Sequence, residues 1–245
     1  MYQFFVESGQ IGKDSVMIEG SDVNHIKNVL RMKPGEKIRI SGPAGENYFC
    51  EIAEIEDSFV RASILEKDET GTELPNRIYL FQGLPKNDKM ELIIQKAVEL
   101  GVYEIIPVAM KNCVVKLDAK KAAAKTARWQ GIAESAAKQS KRSLIPKVSE
   151  PVAYAMKLDQ KLVPYENERG MAATREAVEA VRPGESIGIF IGPEGGFAPE
   201  EIEAVKGEMK LISLGSRILR TETAGFTTLA ILMYHIETSC PEKSN

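Results

Sequence analysis

Along the first 70 residues apolar and polar positions alternate over short stretches: FFV, VMI, KIRIS, NYFCEIAEI and FVRASIL. A period of two marks strands with one face buried. One stretch, SDVNHIKNVLR, has helical spacing instead, with Ser21 or Asp22 as the expected N-cap and Pro34-Gly35 as the turn behind it. Together these elements predict a small β-barrel with one helical insert. Residues 66–76, EKDETGTELPN, are polar and carry Gly71 and Pro75, which reads as a linker. The expected division is a first domain over residues 1–70 and a second over residues 74–245.

Beyond the linker the rhythm changes. Strand IYLFQG is followed by a helix over residues 88–100, in which Met90, Ile93, Ile94, Ala97 and Val98 recur at helical spacing and Gly101 supplies the stop. Strand EIIPV, a helix within residues 118–139, strand KLVPYE, a helix around residues 172–180, strand SIGIFIG, helix PEEIEAVKG and strand KLISLG come next. A last helix runs from Thr221 to about Ile236. Such alternation predicts an α/β domain with a mainly parallel, helix-covered sheet. The last helix is apolar almost all round, through Ala224, Phe226, Leu229, Ala230, Ile231, Leu232, Met233 and Ile236. It is therefore either a central core helix or one partly covered by a second subunit.

Composition narrows the function classes. Cys50, Cys113 and Cys240 are isolated and only His25 and His235 accompany them, so no metal-ligand spacing and no Cys/His nucleophile is present. The start, MYQFFVESGQ, lacks the form of a secretory signal, and no apolar run reaches the ~18 residues of a membrane span. The expectation is a cytoplasmic chain with no membrane or metal partner. The net charge of -3 argues against a uniformly basic nucleic-acid binder, yet residues 111–147 hold ten Lys and Arg against Asp118 and Glu134. A solvated helix face and a polyanion site both fit that run.

Two stretches carry the chemistry. GIFIGPEGGFAPEE and LISLGSRILRTETAGF each empty an apolar strand into a glycine-bearing loop, with Gly192, Gly195, Gly196 and Gly215 at the carboxyl ends, where open α/β sheets hold ligands. Neither phosphate-binding glycine motif is present, and Glu194 would repel a pyrophosphate. One carboxylate among glycines suits a cationic, donor-rich ligand such as S-adenosylmethionine; the plainer alternative is that the glycines only turn corners.

IGPEGGFAPEE with LGSRILRTETAG closely resembles the signature of the RsmE family, the bacterial 16S ribosomal RNA uridine-N3 methyltransferases of the SPOUT superfamily. The resemblance extends to LPKNDKMELIIQKAVELGV, to ARWQGIAESAAKQSKRSLIPKV and to HIKNVLRMKPGE, and so spans nearly the whole chain. It implies a PUA-like β-barrel for RNA, then a SPOUT-type parallel sheet whose C-terminal third is threaded into a trefoil knot, against the usual rule. It also implies a homodimer paired through knot helices. The implied cofactor residues are Ile191, Gly192, Pro193, Glu194, Gly195, Gly196, Leu214, Gly215, Ile218, Leu219, Arg220, Thr221 and Thr223.

Uridine N3 carries a proton, so the site must favour its loss through a base or through cations that stabilise the uridinate. Arg220 and Glu222 are the catalytic candidates, with Arg217 and Glu194 beside them; Arg220 paired with Glu222 is the structural alternative. Arg31, Lys33, Lys138, Lys141 and Arg142 are the leading RNA-binding candidates, with Lys27, Lys37 and Arg39 as further phosphate contacts on the barrel. Trp129 is either a base-stacking aromatic or a helix packing residue. Glu99 and Glu166 are similar to family positions. The chain departs from many relatives in having Gln3 where they carry an early arginine, and Arg31 is the nearest substitute. The expected partner is small-subunit ribosomal RNA within an assembled 30S particle. The alternatives are another SPOUT RNA methyltransferase, acting on a ribose hydroxyl or a tRNA base, and a non-enzymatic RNA-binding assembly factor.

Overall fold

In the computed structural model, which describes residues 1–69, 71–151 and 156–239, the N-terminal alternation becomes five strands. They are β1 (Tyr2–Phe5), β2 (Ser15–Glu19), β3 (Lys37–Ser41), β4 (Asn47–Ile55) and β5 (Phe59–Asp68). Cys240, residue 70 and the last residues of the second expected domain lie outside the described residues. The strand order β1-β3-β4-β5-β2 leaves β1 and β2 as edges, so the sheet is an open half-barrel rather than a closed barrel. Only β1 and β3 run parallel. Their inward side chains, Phe4, Ile38 and Ile40, join Val16, Ile18, Cys50, Ile52, Val60 and Ala62 in one core. The period-two pattern thus sends alternate residues to a single buried face.

The helical insert closes that core with Val23 and Ile26. It begins as α1 (Ser21–Asn24) and continues as a π-type turn, His25–Val29. Its N-cap is Gly20, at φ 73°, one residue before the Ser21 or Asp22 expected from sequence. Asp22 is engaged elsewhere, accepting hydrogen bonds from Lys138 Nζ at 3.0 and 3.2 Å.

Residues fall into two compact units. One comprises Met1–Glu73 together with Ala137–Ile145; the other comprises Leu74–Ala136 and the described residues from Pro146 to Ser239. The short returning segment is held in the first unit by a dense polar network. Glu73 accepts from Arg142 Nε at 2.9 Å and from the backbone N–H groups of Ser143 and Leu144 at 2.8 and 3.2 Å. Gln3 Nε2 donates to Arg142 O and to Ser41 Oγ, and Arg39 donates to Lys141 O while pairing with Asp68.

This network engages three of the RNA-binding candidates. Arg142 is 4% exposed and committed to Glu73. Lys138 is paired with Asp22. Lys141 stands at φ 61° and is half-buried, and its ammonium is pushed below the ordinary lysine value by desolvation and then by Arg39. Arg39, a further phosphate candidate, is itself buried. Burying a cation costs several kcal/mol unless it is paired, so these side chains are fold-forming. Arg31 and Lys33 remain exposed.

The second unit holds β6 (Arg77–Gly83), β7 (Glu104–Val108), β8 (Lys147–Val148), β9 (Gln160–Pro164), β10 (Ser186–Ile191) and β11 (Lys210–Ile212). All pair in parallel, in the order β11-β9-β10-β6-β7-β8. Ile78, Leu80, Phe81, Ile187, Ile189 and Phe190 on the two central strands are all buried, as sheets covered on both faces require. The helices are α2 (Lys89–Glu99), α3 (Ala119–Ser140), α4 (Ala172–Glu179), α5 (Pro199–Val205) and α6 (Thr221–Ser239).

Helix α2 buries Met90, Ile93, Ile94, Ala97 and Val98, the stripe expected from spacing, and ends before Gly101 at φ 87°. Helix α6 buries one stripe only: Thr221, Gly225, Thr228, Leu229, Leu232 and Ile236. Its opposite side includes Tyr234, 70% exposed. Trp129, 4% exposed, is a packing residue of α3 and not an open stacking platform.

Removing the Glu73 carboxylate takes away a charged, hydrogen-bonded partner of the buried Arg142. Glu73→Ala is expected to cost about 3–5 kcal/mol, read as a fall in the urea midpoint; a loss below about 1 kcal/mol would place the pair among ordinary surface bridges.

Candidate functional site

The carboxyl ends of β9, β10 and β11 deliver three loops, residues 164–169, 192–198 and 213–220, around the first turn of α6. They enclose a cleft of about 400 Å³. Of the residues assigned from sequence, Ile191, Gly192, Pro193, Glu194 and Gly196 form one wall. Leu214, Gly215, Ile218, Leu219, Arg220 and Thr221 form another. Gly195, Glu222 and Thr223 are not among the walls. A side chain at Gly195 would meet Asn112 Cβ and O at 3.1 and 3.2 Å, and Asn112 Nδ2 donates to both Gly195 O and Gly196 O. That glycine shapes the loop instead of leaving room for a ligand.

Backbone-to-backbone approach sets the shape of the cleft. β10 runs beside β6 with Ile191 opposite Gln82, so Gly83 lies against Gly192 and Pro193; a Cβ on Gly83 would sit 2.7 Å from Pro193 N. Gln82 is fully buried, and its Nε2 donates to Thr221 Oγ1 at 2.9 Å; that hydroxyl donates onward to Gly192 O at 2.6 Å. One relay therefore ties β6, the β10 loop and the start of α6. The β11 loop is fixed separately, through Thr174 of α4: its hydroxyl donates to Ser213 O at 2.6 Å and accepts from Ser213 N–H at 3.0 Å. Gly196 and Gly215, at φ 68° and 109°, supply conformations that side chains resist.

The charges divide in two. At one side Lys89, the first residue of α2, sits between two carboxylates, 3.1 Å from Glu194 Oε1 and 3.5 Å from Glu222 Oε2. The Glu194 hydrogen bond raises the Lys89 ammonium above the ordinary lysine value, against desolvation and with help from Glu222. Desolvation pushes Glu194 up, but its own backbone N–H, the Lys86 N–H at 3.0 Å and Lys89 together hold it below the usual glutamate value. Glu222 is 13% exposed at its side chain, and its Oε2 is buried without a hydrogen-bond donor. It faces Lys89, so the pairing of Glu222 with Arg220 considered from sequence is not formed.

On the other side Arg217 and Arg220 line the cleft, exposed and without an ion pair among the described residues. Glu166, Glu168 and Arg169 complete the rim. Glu99, the other carboxylate matched to a family position, pairs with Lys96 at 2.9 Å on the surface of α2. Among the described residues no cluster of His, Cys, Asp and Glu is placed to hold a metal. Lys89 escaped the site assignment because its signal, the K-M-E of KNDKMEL, reads as the first turn of an ordinary amphipathic helix.

Gly83→Ala tests the close approach. The added methyl has no vacant position, so the substitution is expected to destabilise the chain by about 1–3 kcal/mol through overpacking, read from the denaturant midpoint; a neutral result would show that the β10 loop is free to move away.

The family described as RNA methyltransferase domain matches residues 72–233, and the RNA methyltransferase PUA domain matches residues 18–65. The chain is 37% identical to the ribosomal RNA small subunit methyltransferase E of Bacillus subtilis, over 97% of this chain and 98% of that one. Its fold superposes with a TM-score of 0.82 on a methyltransferase of Legionella pneumophila solved with the bound cofactor SAM, at 31% identity over 95% of this chain and 97% of that one. It superposes at 0.78 on the ribosomal RNA small subunit methyltransferase E of Neisseria gonorrhoeae bound to S-adenosyl methionine, at 32% identity over 94% and 96%. With a half-barrel at its start, a parallel sheet whose loops build one cleft, and relatives matched end to end, the chain belongs to the ribosomal RNA small subunit methyltransferase E family of RNA methyltransferases.

Proposed function

We propose that the chain transfers a methyl group from S-adenosylmethionine to N3 of a uridine in small-subunit ribosomal RNA, in the cytoplasm and on an assembled 30S particle. The observation that carries the reading is the cleft at the ends of β9, β10 and β11, in a chain whose relatives of the same fold hold that cofactor.

The donor set fits the group. About 400 Å³ lies within the range of small-molecule pockets. Ile191, Leu214 and Leu219 offer apolar surface for an adenine, Glu166, Glu168 and Glu194 offer negative charge to an ammonium and a sulfonium, and Arg169 and Arg217 offer positive charge to a carboxylate. When bound, the cofactor supplies a methyl carbon made electrophilic by the sulfonium.

The protein's work is orientation and charge. The rigid Gln82–Thr221–Gly192 relay holds the loop that positions the donor. Arg220, exposed and unpaired, places a full positive charge at the cleft, where it stabilises the uridinate formed as N3 loses its proton. Glu222, held beside the cleft by Lys89, accepts that proton. Arg31 and Lys33 in the first unit, with Lys116 and Lys120 in the second, are exposed cations suited to phosphate contacts. The stretch from β10 through α5 and β11 into α6 is the one that the family resemblance threads as a trefoil knot.

We infer a homodimer from α6. Beside its exposed face Met171 at the N-cap of α4, Val178 of α4, and Ile231 and Tyr234 of α6 line an apolar groove, and Tyr234 and Met171 are 70% and 47% exposed. A second copy would cover it, as obligate interfaces of this kind bury on the order of 2,000 Å² or more. Light scattering is expected to return twice the monomer mass at micromolar concentration, and a clean monomer would contradict the pairing.

The test of function is isotope transfer. Purified protein, labelled S-adenosylmethionine and 30S particles lacking the modification are expected to yield labelled N3-methyluridine in the digested ribosomal RNA, with naked RNA a poorer acceptor. Label on a ribose 2′-hydroxyl, or better transfer to tRNA, would overturn the acceptor. Arg220→Ala is expected to lower kcat by on the order of 10²-fold at saturating RNA, with cofactor affinity by calorimetry held near a Kd of about 1–10 μM, on the order of -8 kcal/mol.

A further inference from the structure

We infer that Lys89 is a positioning residue for methyl transfer: its ammonium, which lines the cleft with Glu194, also holds the Glu222 carboxylate beside the cleft and keeps Glu222 set to receive the N3 proton. The inference rests on the functional reading above and adds a residue to which the sequence assigned no role.

Three elements meet at this cation. Lys89 opens α2, Glu194 comes from the loop after β10, and Glu222 from the first turn of α6. The Nζ lies 3.1 Å from Glu194 Oε1 and 3.5 Å from Glu222 Oε2, and the Lys89 side chain is 31% exposed, so it is reached from the cleft without being freely solvated. Glu194 is anchored a second time by the Lys86 N–H. Glu222 has no such anchor: its Oε2 is buried with no hydrogen-bond donor, and Lys89 is the cation beside it.

Two carboxylates brought to one cation repel each other when the cation is removed, and at least one of them then gains a proton more readily. The other charges near the group are accounted for. From α2 itself Glu91 is turned to Arg128 and Glu99 to Lys96. From α6, which packs against α2, His235 and Glu237 lie more than three turns beyond Glu222. The mouth of the cleft carries Arg217, Arg220, Arg169, Glu166 and Glu168.

The chemical balance is simple. N3 forms its bond to the methyl carbon as the carbon–sulfur bond breaks with its electron pair passing to sulfur, which ends neutral. The N3 proton passes to the Glu222 carboxylate and from there to water. Lys89 exchanges no proton; it fixes the acceptor.

The experiment compares Lys89→Met, Lys89→Arg and Glu194→Gln in full-length protein with 30S particles and saturating S-adenosylmethionine across a pH series. Lys89→Met is expected to lose on the order of 10- to 100-fold in kcat, with KM for the particle within about twofold of the parent. The acidic limb of its kcat profile is expected to move to higher pH. Lys89→Arg is expected to restore most of the rate and return the limb. Glu194→Gln, which removes one negative charge and leaves Lys89 to Glu222 alone, is expected to move the limb the opposite way, and it reads the same electrostatics should Lys89→Met fold poorly. If both variants lower activity with the limb unmoved, or if Lys89→Arg is as impaired as Lys89→Met, the inference is wrong. If the parent protein binds S-adenosylhomocysteine but methylates nothing in the particle, the functional reading fails first, and the two failures are told apart.

Discussion

The cleft depends on the Thr221 hydroxyl. It accepts from a fully buried glutamine on β6 and donates to Gly192 O at the end of β10, so that a single oxygen fixes the first turn of α6 against two strands. That geometry is possible only because Gly83 lets the backbones of those strands' ends come close, with no room there for a Cβ. The loop that turns away carries Glu194, and the helix that starts there carries Glu222; both carboxylates therefore arrive beside Lys89. Shape and charge at the site follow from one packing constraint.

The same economy of charge explains the basic run over residues 111–147. Its last members, Lys138, Lys141 and Arg142, are drawn out of solvent to close the N-terminal unit, and each finds a carboxylate, a carbonyl or a neighbouring charge there. Earlier members such as Lys116 and Lys120 stay exposed. A cation in water is available to phosphates, and one that has been desolvated and paired is not. The basic density of the sequence therefore overstates the number of cations left in solvent, most of all toward the C-terminal end of α3.

Much of this was legible in the residues. Period-two runs gave five strands and a helical stripe gave α2 in full, because each segment's pattern matches the face it buries. The glycine loops marked the cleft because a parallel sheet places its strand ends together. Three features were not legible, each for a physical reason. β8 has two residues and no period. Gly20 displaced Ser21 and Asp22 as the cap because Asp22 serves Lys138, a partner 116 residues away. Lys89 looked like helix surface because the two carboxylates that define its role come from a loop and a helix more than 100 residues further along. Non-local pairing of polar groups is what a local pattern omits.

The central claim, that these converging loops form the cofactor site, is tested most directly by amide chemical shifts on adding S-adenosylhomocysteine to the labelled protein. The account predicts large changes at residues 164–169, 192–197 and 213–224, with the amides of the half-barrel unmoved. Saturable binding that instead perturbs the α4–α6 groove or the half-barrel, and leaves those three segments unchanged, would contradict it.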